Sequence, residues 1–130
     1  MKRTSEYTSL KEISTGTTVS TQIEVSTGNI VDLKYCQVDG SISDGFLAWI
    51  ADDGDEGWGA LTGMGYSASV VGTWLNLQIQ VNEHNVVITD IDDPTKKVIS
   101  RNRTGIINKL KFYTSNTVTE IRFRNLIIYL

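Results

Sequence analysis

Acidic, aromatic and glycine residues are concentrated between positions 43 and 67 of the 130-residue chain, a stretch that reads SDGFLAWIADDGDEGWGALTGMGYS. Trp58 follows a turn with four acids in five positions, and Tyr66 ends a glycine-rich segment. A flat ring can cover the C–H face of a sugar, while carboxylates accept hydrogen bonds from its hydroxyl groups. Glycines let the backbone approach a ligand closely. The predicted carbohydrate-binding residues are Asp44, Asp53, Asp55, Trp58, Gly63 and Tyr66.

The same residues also fit an interpretation without a ligand. Asp-Gly is a common hairpin turn, and Trp58 can cap the open end of a hydrophobic core. Trp49 and Trp74 are predicted to pack, because each lies in a strand-like segment, although Trp74 falls on the polar side of its strand. The amides on that polar side suit a neutral polyol or an ordinary wet sheet face. They are Asn76, Gln78 and Gln80.

The acidic turn is also a candidate calcium site, because hard oxygen donors on a tight glycine turn suit that ion. Asp52, Asp53 and Asp55 would be its ligands. The ligand spacing of an EF-hand loop is absent, so a solvated turn is the competing interpretation. His84 is the only histidine and Cys36 the only cysteine, which leaves no ligand set for a transition metal. We expect no cofactor, and we expect Cys36 to be a small buried thiol.

Catalytic patterns are missing from the sequence. Glycoside hydrolysis needs two carboxylates at a fixed separation across the scissile bond, and no Glu-x-Asp-x-x-Glu run is present. Asp90 and Asp92 share a strand face, but they lead directly into the turn at Asp93 and Pro94. A serine nucleophile would need His84 with a positioned acid, and no nucleophile-elbow glycine motif accompanies it. We therefore predict that the chain is not an enzyme.

Charge is unevenly distributed, although the net charge is only −3. Ten acids and no lysine or arginine lie between Tyr35 and Thr95, whereas residues 96–130 contain eight bases and one acid. We expect the two segments to lie on neighbouring strands and neutralise each other, rather than to form a two-sided field that steers a charged partner. A net negative chain without a basic-aromatic motif also argues against nucleic acid as a partner.

Two pairs of basic residues need compensation. Lys109 and Lys111 share a strand face, as do Arg122 and Arg124, and a hairpin near Asn116 would place the two pairs close together. Like charges across a strand ladder repel. We expect acids of neighbouring strands, or an anionic ligand such as a phosphorylated cell-wall polymer, to offset them. The candidate acids are Glu24, Asp90 and Asp92.

Composition and alternation predict an all-β protein. Thr, Ile and Val together supply forty residues, and Pro94 is the only proline; branched side chains suit a pleated, half-buried surface. The alternation of 75–81 puts apolar residues on one face and amides on the other. No segment shows helical spacing or is apolar for long enough to cross a bilayer. With no internal repeat or linker, residues 1–130 are predicted to form a single domain, a β-sandwich or jelly roll of two antiparallel sheets.

Eight strands are predicted, separated by residues with turn chemistry. The turns fall at 27–29, 39–40, 83–85, 92–94 and 115–116. The predicted strands are 19–25, 30–38, 45–51, 74–81, 86–91, 97–101, 107–114 and 120–130.

The later strands resemble the second half of concanavalin A-like lectin/glucanase jelly rolls. The likeness rests on WLNLQIQV from Trp74, NVVITD from Asn85, KVIS from Lys97, LKFY from Leu110 and IRFRNLIIYL from Ile121. It covers about half of the chain. It implies a concanavalin-like jelly-roll sandwich for the whole domain.

A second resemblance, to L-type lectins, rests on DGFLA from Asp44 and on GALTGMGY from Gly59. In those lectins the aspartate and the glycine loop shape the sugar site, which implies Asp44 and the backbone of 63–65 as binding positions here. The acids, asparagine and histidine that hold calcium and manganese in those lectins do not follow Tyr66. The resemblance therefore does not imply lectin metals in this chain.

A third resemblance is to the small carbohydrate-binding modules of bacteriophage tail and baseplate proteins. It rests on KFYT at 111–114 ahead of a final strand with FRN at 123–125 and an apolar-aromatic end. It implies host adhesion through a cell-surface polysaccharide or oligosaccharide, in a larger virion protein or in a bacterial surface protein. The location would then be a virion, the extracellular space or the cell surface. The competing expectation is a structural or protein-interaction sandwich, in which the same loops are only turns.

Overall fold

A computed structural model describes residues 4–7, 12–14, 21–43, 45–114 and 119–129. They form an all-β structure with two short 3₁₀ helices, because branched and aromatic side chains alternate with polar ones along most segments. The strands are β1 Thr4–Tyr7, β2 Glu12–Ser14, β3 Thr21–Glu24, β4 Ile30–Asp39, β5 Leu47–Ala51, β6 Glu56–Gly59, β7 Trp74–Val81, β8 Val86–Asp90, β9 Lys97–Ile99, β10 Ile107–Phe112 and β11 Glu120–Tyr129. The 3₁₀ helices are Leu61–Met64 and Ala68–Val70.

Two antiparallel sheets form a β-sandwich. The long sheet has the strand order β1-β11-β4-β7-β8-β9, and β2 also pairs with β11. The short sheet has the order β3-β10-β5-β6. Strands β9 and β6 each end their sheet, and both line the same groove. The sandwich is therefore open along one side, between two edge strands.

The inner faces of the two sheets form one hydrophobic core. In β7 the inward Leu, Ile and Val side chains are buried, while the Asn and Gln side chains between them are half-buried or exposed, as predicted. Phe112 of the short sheet packs edge-to-face against Phe46 and Phe123, with ring centroids 6.2 and 4.9 Å apart. Because Phe123 belongs to the long sheet, this ring contact joins the two layers.

Most of the predicted fold is confirmed. The class is all-β, the two sheets are antiparallel, and each of the predicted strands has a counterpart among β3, β4, β5, β7, β8, β9, β10 and β11. Cys36 is buried, and burial raises the pKa of its thiol. Val19 and the predicted turn at 115–116 lie outside the described residues.

The prediction of a hairpin near Asn116 is wrong. Strand β10 pairs with β3 and β5 in the short sheet, whereas β11 pairs with β1, β2 and β4 in the long sheet. Lys109 and Lys111 are therefore on a different sheet from Arg122 and Arg124. Two alternating strands separated by a short turn also fit a connection that crosses from one sheet to the other, and sequence alone does not distinguish the two cases.

Strands β1, β2 and β6 were not predicted. Strand β6 has the sequence EGWG, whose two glycines and lack of branched side chains are typical of a turn. It is a strand because it pairs with β5, with Trp49 opposite Gly57 and Ala48 opposite Trp58. Tertiary pairing has overridden local propensity at this edge.

Candidate functional site

A groove of about 550 Å³ runs along the open side of the sandwich, between β6 and β9. Edge strands leave backbone groups unpaired, and ligands or partner strands bind at such places. The walls are β6 with the loop after it, the 3₁₀ helix that contains Gly63, and β9 with the segment after it. The lining side chains that bear on its chemistry are Trp49, Glu56, Trp58, Ile99, Arg101 and Arg103.

Trp58 stands at the rim of the groove. Successive side chains of a strand point to opposite faces of the sheet, and Gly57, opposite the inward Trp49, faces the core. Trp58 therefore points outward, and it is 60% exposed. It does not belong to the hydrophobic core, so it does not cap the core as the competing interpretation held.

Trp49 forms part of the groove floor and is only 4% exposed. A Cβ at Gly59 would lie 3.2 Å from its ring, and a Cβ at Gly57 would clash with its indole nitrogen. Both positions are glycine because the Trp49 indole lies directly against the β6 backbone and leaves little room for a side chain. The predicted packing role of Trp49 is confirmed. Its Nε1 is buried, with no hydrogen-bond partner within the described part of the chain.

The opposite wall presents a second exposed apolar side chain. Val98 of β9 packs against the core, and the next residue, Ile99, points outward opposite Val87. Ile99 is 62% exposed. The groove therefore has an aromatic rim on the short sheet and an aliphatic rim on the long sheet.

Arg103 links the groove to the acidic turn. Its Nη1 donates to the carbonyl oxygen of Glu56 at 3.1 Å and lies 3.5 Å from Asp55 Oδ2. Asp55 and Arg103 together supply hydrogen-bond acceptors and donors at one end of the groove. Their contact joins the acid-rich and base-rich segments, as does the pair Arg122 and Asp39 at 3.9 Å. The expected neutralisation between these segments is found at both places.

The carboxylates of the predicted calcium turn have contacts within the protein. Asp52 Oδ1 accepts the Ile106 N–H at 3.1 Å, and Asp53 Oδ1 accepts the Asp55 N–H at 3.0 Å. Asp55 faces Arg103. Across the described residues, no group of three or more His, Cys, Asp or Glu side chains is placed to hold a metal ion. Calcium at this turn stays an untested alternative to a solvated turn, and the contacts above would compete with it.

Tyr66 lies at a separate corner of the sandwich. Its hydroxyl donates to Asp90 Oδ2 at 2.5 Å. Asp90 is 5% exposed and also accepts the N–H groups of Asp92 and Asp93 at 2.9 and 3.2 Å. Burial first, and then the hydrogen bond to Asp90, raise the pKa of Tyr66. The Tyr66 hydroxyl group therefore already has a hydrogen-bond acceptor within the protein.

The groove collects half of the predicted binding residues. Trp58 and Gly63 line it, and Gly63 has open space where a Cβ would be. Asp55 adjoins it through Arg103. An exposed ring, an accessible backbone and a carboxylate therefore lie close together at this groove.

Two other predicted binding residues, Asp53 and Tyr66, are not part of the groove lining. Asp53 is exposed on the neighbouring turn, where it caps the backbone of that turn. Tyr66 borders a different depression, with Lys96 and Asp93. Asp44 lies outside the described residues.

Sequence reasoning missed the wall that β9 supplies. Ile99, Arg101 and Arg103 are far from Trp58 along the chain, and closure of the two sheets brings them to the groove. The available signal was in the strand KVI, where inward Val98 leaves Ile99 as an outward apolar residue. An aromatic and an aliphatic rim with a guanidinium and a carboxylate at one end suit a ligand with apolar faces and hydroxyl groups.

Neither a protein-family model nor a curated protein sequence matches the chain. Where the chain is described, no helix has the length and apolar character needed to cross a membrane. The function has to be inferred from the residues of the groove.

Proposed function

We propose that the chain is a non-catalytic carbohydrate-binding module that recognises a cell-surface glycan in the groove between β6 and β9. The observation that carries this proposal is Trp58, an indole 60% exposed on an edge strand at the rim of a groove of about 550 Å³. Exposed Ile99 lies on the facing rim. Paired apolar side chains around a concave surface are typical of a binding site, whereas single scattered ones are not.

Each of the groove residues would make a different kind of contact with a bound sugar. The Trp58 ring would cover a C–H face, and the fixed guanidinium of Arg103 would donate to ring or hydroxyl oxygens. Glu56 and Asp55 would accept hydrogen bonds from hydroxyl groups. Gly63 would let the ligand approach the backbone, since no side chain covers it. The groove volume falls in the range of about 300–1,000 Å³ that is usual for small-ligand sites.

The carboxylates near the groove favour binding over hydrolysis. A glycosidase needs two carboxyl groups that flank the scissile bond. Glu56 is the one carboxylate among the described lining residues, and the nearest acid, Asp55, is paired with Arg103. A single carboxylate can hold a hydroxyl group, but it cannot supply both acid and nucleophile.

For the finer fold we propose a concanavalin-like jelly roll, and for the setting a phage tail or baseplate protein or a bacterial surface protein. The ligand would then be a cell-surface polysaccharide or oligosaccharide, and the location a virion or the cell surface. The support is the resemblance of residues 74–130 to such modules, together with the two-sheet sandwich.

The test is a glycan array probed with the wild-type chain, with Trp58→Ala and with a matched control. Ile91→Ala removes another exposed apolar side chain, one that does not line the groove. We expect Trp58→Ala to weaken retention by about tenfold or more, and Ile91→Ala to leave it unchanged. An undamaged binding profile in Trp58→Ala would remove this groove as the sugar site.

The alternative function is a structural or protein-interaction module. The observation that favours it is that β6 and β9 are each the last of their sheet among the described strands, so an extended segment of another protein could add there as a strand. A charge on an edge strand blocks such pairing. Ile99→Lys should therefore abolish partner binding while leaving the Trp58 platform intact. An array on which the wild-type chain binds no glycan would favour this alternative.

A further inference from the structure

Arg122 and Arg124 lie on the same face of β11, yet their surroundings differ. Arg122 Nη2 lies 2.9 Å from Glu120 Oε2, and its Nη1 lies 3.9 Å from Asp39 Oδ2. The Arg122 Nη1 also donates to Gln37 Oε1 at 2.9 Å. The charge of Arg122 is thus neutralised by acids of β4 and β11.

Arg124 is held by rings instead of acids. Its guanidinium carbon lies 4.1 Å from the centroid of the Trp74 ring and 6.0 Å from that of the Tyr35 ring. The side chain is exposed, and it forms no ion pair with any described residue. Stacking on aromatic faces fixes the plane of a guanidinium but leaves its N–H edge free to donate. The result is a positioned cation that has no counter-ion among the described residues.

The backbone of β4 is distorted where it presents Tyr35. The β4–β7 pairing shifts register between Lys34 and Cys36, which makes Tyr35 the extra residue of a bulge. Tyr35 has a φ of 77°, a left-handed conformation that is unfavourable for a bulky residue, and its side chain is 45% exposed. Bulges re-aim side chains, and strain of this kind collects at functional sites. Here the bulge turns a ring toward Arg124.

We propose that Arg124, held by Trp74 and Tyr35, forms an anion-binding site on the outer face of the long sheet, and that its ligand is a carboxylate or phosphate group of an anionic polysaccharide. The N–H edge of a guanidinium matches the two oxygens of such a group. The adjacent ring faces would contact the sugar that carries it. The identity of the carrier as a polysaccharide rests on the function proposed above, whereas the site itself rests on the contacts of Arg124.

The net charge of the chain favours binding of an anion by local contact with Arg124 over long-range attraction to the whole molecule. The chain has a net charge of −3, so an anionic polymer is not attracted to the molecule as a whole. Arg122 is compensated by Glu120 and Asp39, whereas no described acid pairs with Arg124, so Arg124 is an attractive point on this face. This differs from a nucleic-acid surface, in which many cations follow a phosphate backbone.

The test is titration of the full chain with a galacturonate oligomer and with a phosphodiester-linked glucose oligomer, which separate carboxylate from phosphate as the source of the anion. A neutral maltose oligomer and a thymidylate oligomer are the comparators. Binding is followed by calorimetry and by the indole N–H resonances of Trp74 and Trp58. We expect at least one anionic glycan to shift the Trp74 resonance and leave that of Trp58 in place.

Four variants test whether Arg124 is the residue that binds the anion. Arg124→Gln should weaken binding of the anionic glycan by about tenfold or more, and Arg124→Lys should restore only part of it, because lysine lacks the planar fork. Lys109→Gln removes one charge from the other sheet and should change the affinity by less than about twofold. Trp58→Ala should leave anion binding unchanged even where it abolishes binding of neutral glycans.

Several results would overturn the proposal. They are absence of binding by both anionic glycans, equal weakening by Lys109→Gln and Arg124→Gln, or loss of anion binding in Trp58→Ala. Tighter binding of the thymidylate oligomer, with the same dependence on Arg124, would replace the polysaccharide with nucleic acid. Since neutral-glycan binding is read through Trp58 and anion binding through Trp74, failure of one proposal is distinguishable from failure of the other.

Discussion

Trp58 and Tyr66 are eight positions apart in the sequence, and they have opposite surroundings. Trp58 stands on an edge strand with glycine on both sides, and its ring is exposed at the rim of a groove. Tyr66 packs against the core, and its hydroxyl donates to the buried carboxylate of Asp90. The comparison shows that, of two aromatic residues beside glycines, the one whose ring packs against the core and whose hydroxyl has an acceptor is used by the fold, whereas the ring of the other stays exposed.

The two regions also differ in what their polar groups do. At the Tyr66 corner, donors from three residues converge on Asp90, so the contacts stabilise the fold. At the groove, Trp49 Nε1 has no partner among the described atoms, and Glu56 is one of the lining residues. Substitutions should therefore change stability at the corner and ligand binding at the groove rim.

The largest expected effect is at the corner. Asp90→Ala would leave the Tyr66 hydroxyl and two backbone N–H groups without their acceptor, which should lower the free energy of unfolding by about 3 kcal/mol. Urea denaturation measures this change. Asp92→Ala, an exposed acid of the same turn, is the control and should change it by less than about 0.5 kcal/mol. Equal effects of the two variants would contradict the special role of Asp90.

The next effect is at the groove floor. Gly57→Ala introduces a Cβ that clashes with the Trp49 indole, so β6 or the indole must move. Overpacking of this kind should cost about 2 kcal/mol. Chemical denaturation measures the loss, and the tryptophan emission spectrum should change with it.

Gly63→Ala is the matched control for Gly57→Ala. Its added Cβ meets nothing within 4 Å, so stability should stay within about 0.5 kcal/mol of wild type. If a ligand lies against this backbone, Gly63→Ala should weaken glycan binding without a loss of stability. A destabilised Gly63→Ala would mean that the groove wall is packed more tightly than the structure shows.

The Tyr66 corner should also differ from the groove in the pH dependence of its contribution to stability. The folded-state pKa of Tyr66 is raised above its ordinary value of 10.0, by burial and then by its bond to Asp90. Its contribution to stability is therefore fully present below pH 10 and is lost as pH rises, because the unfolded chain releases the phenolic proton first. Burial also raises the pKa of Cys36 above its ordinary value of 9.0, so the contribution of Cys36 to stability is likewise lost as pH rises. Tyr66→Phe should thus reduce the alkaline slope of the unfolding free energy without removing it, and a slope equal to that of wild type would contradict this.

The smallest expected effect is that of calcium. The carboxylates of Asp52 and Asp53 accept backbone hydrogen bonds, and Asp55 faces Arg103. We therefore expect the melting temperature and glycan binding to be the same in excess calcium and in chelator. A stabilisation that rises with calcium concentration, and disappears in Asp53→Asn, would show that the turn is a metal site after all.

Local patterns predicted most of the fold. The alternation in β7 and the turn residues between strands depend on neighbours along the chain, so sequence was sufficient for them. Strand β6 was not predicted, because EGWG has the composition of a turn and pairs only when β5 is beside it. The hairpin near Asn116 was wrong for a related reason, since the choice of sheet for β10 and β11 depends on pairing with distant strands.

The candidate site was predicted in part. Trp58 and Gly63 were predicted from residue type, because an aromatic ring and bare backbone beside acids are the groups that contact a sugar, and both line the groove. Tyr66 was grouped with them by proximity in sequence, which says nothing about the acceptor that Asp90 provides. Ile99 and Arg103 were missed because no local pattern reports which strand lies across a sandwich edge.

By itself, the sequence determined an all-β chain with alternating strands, a buried thiol and an aromatic residue at an acidic turn. These features follow from side-chain chemistry and from the two-residue period of a strand. The tertiary structure decided which strands became edges, which ring remained exposed, and which arginine forms an ion pair with an acid. Those outcomes depend on contacts between residues far apart in the chain, and such contacts form only when the two sheets close on a common core.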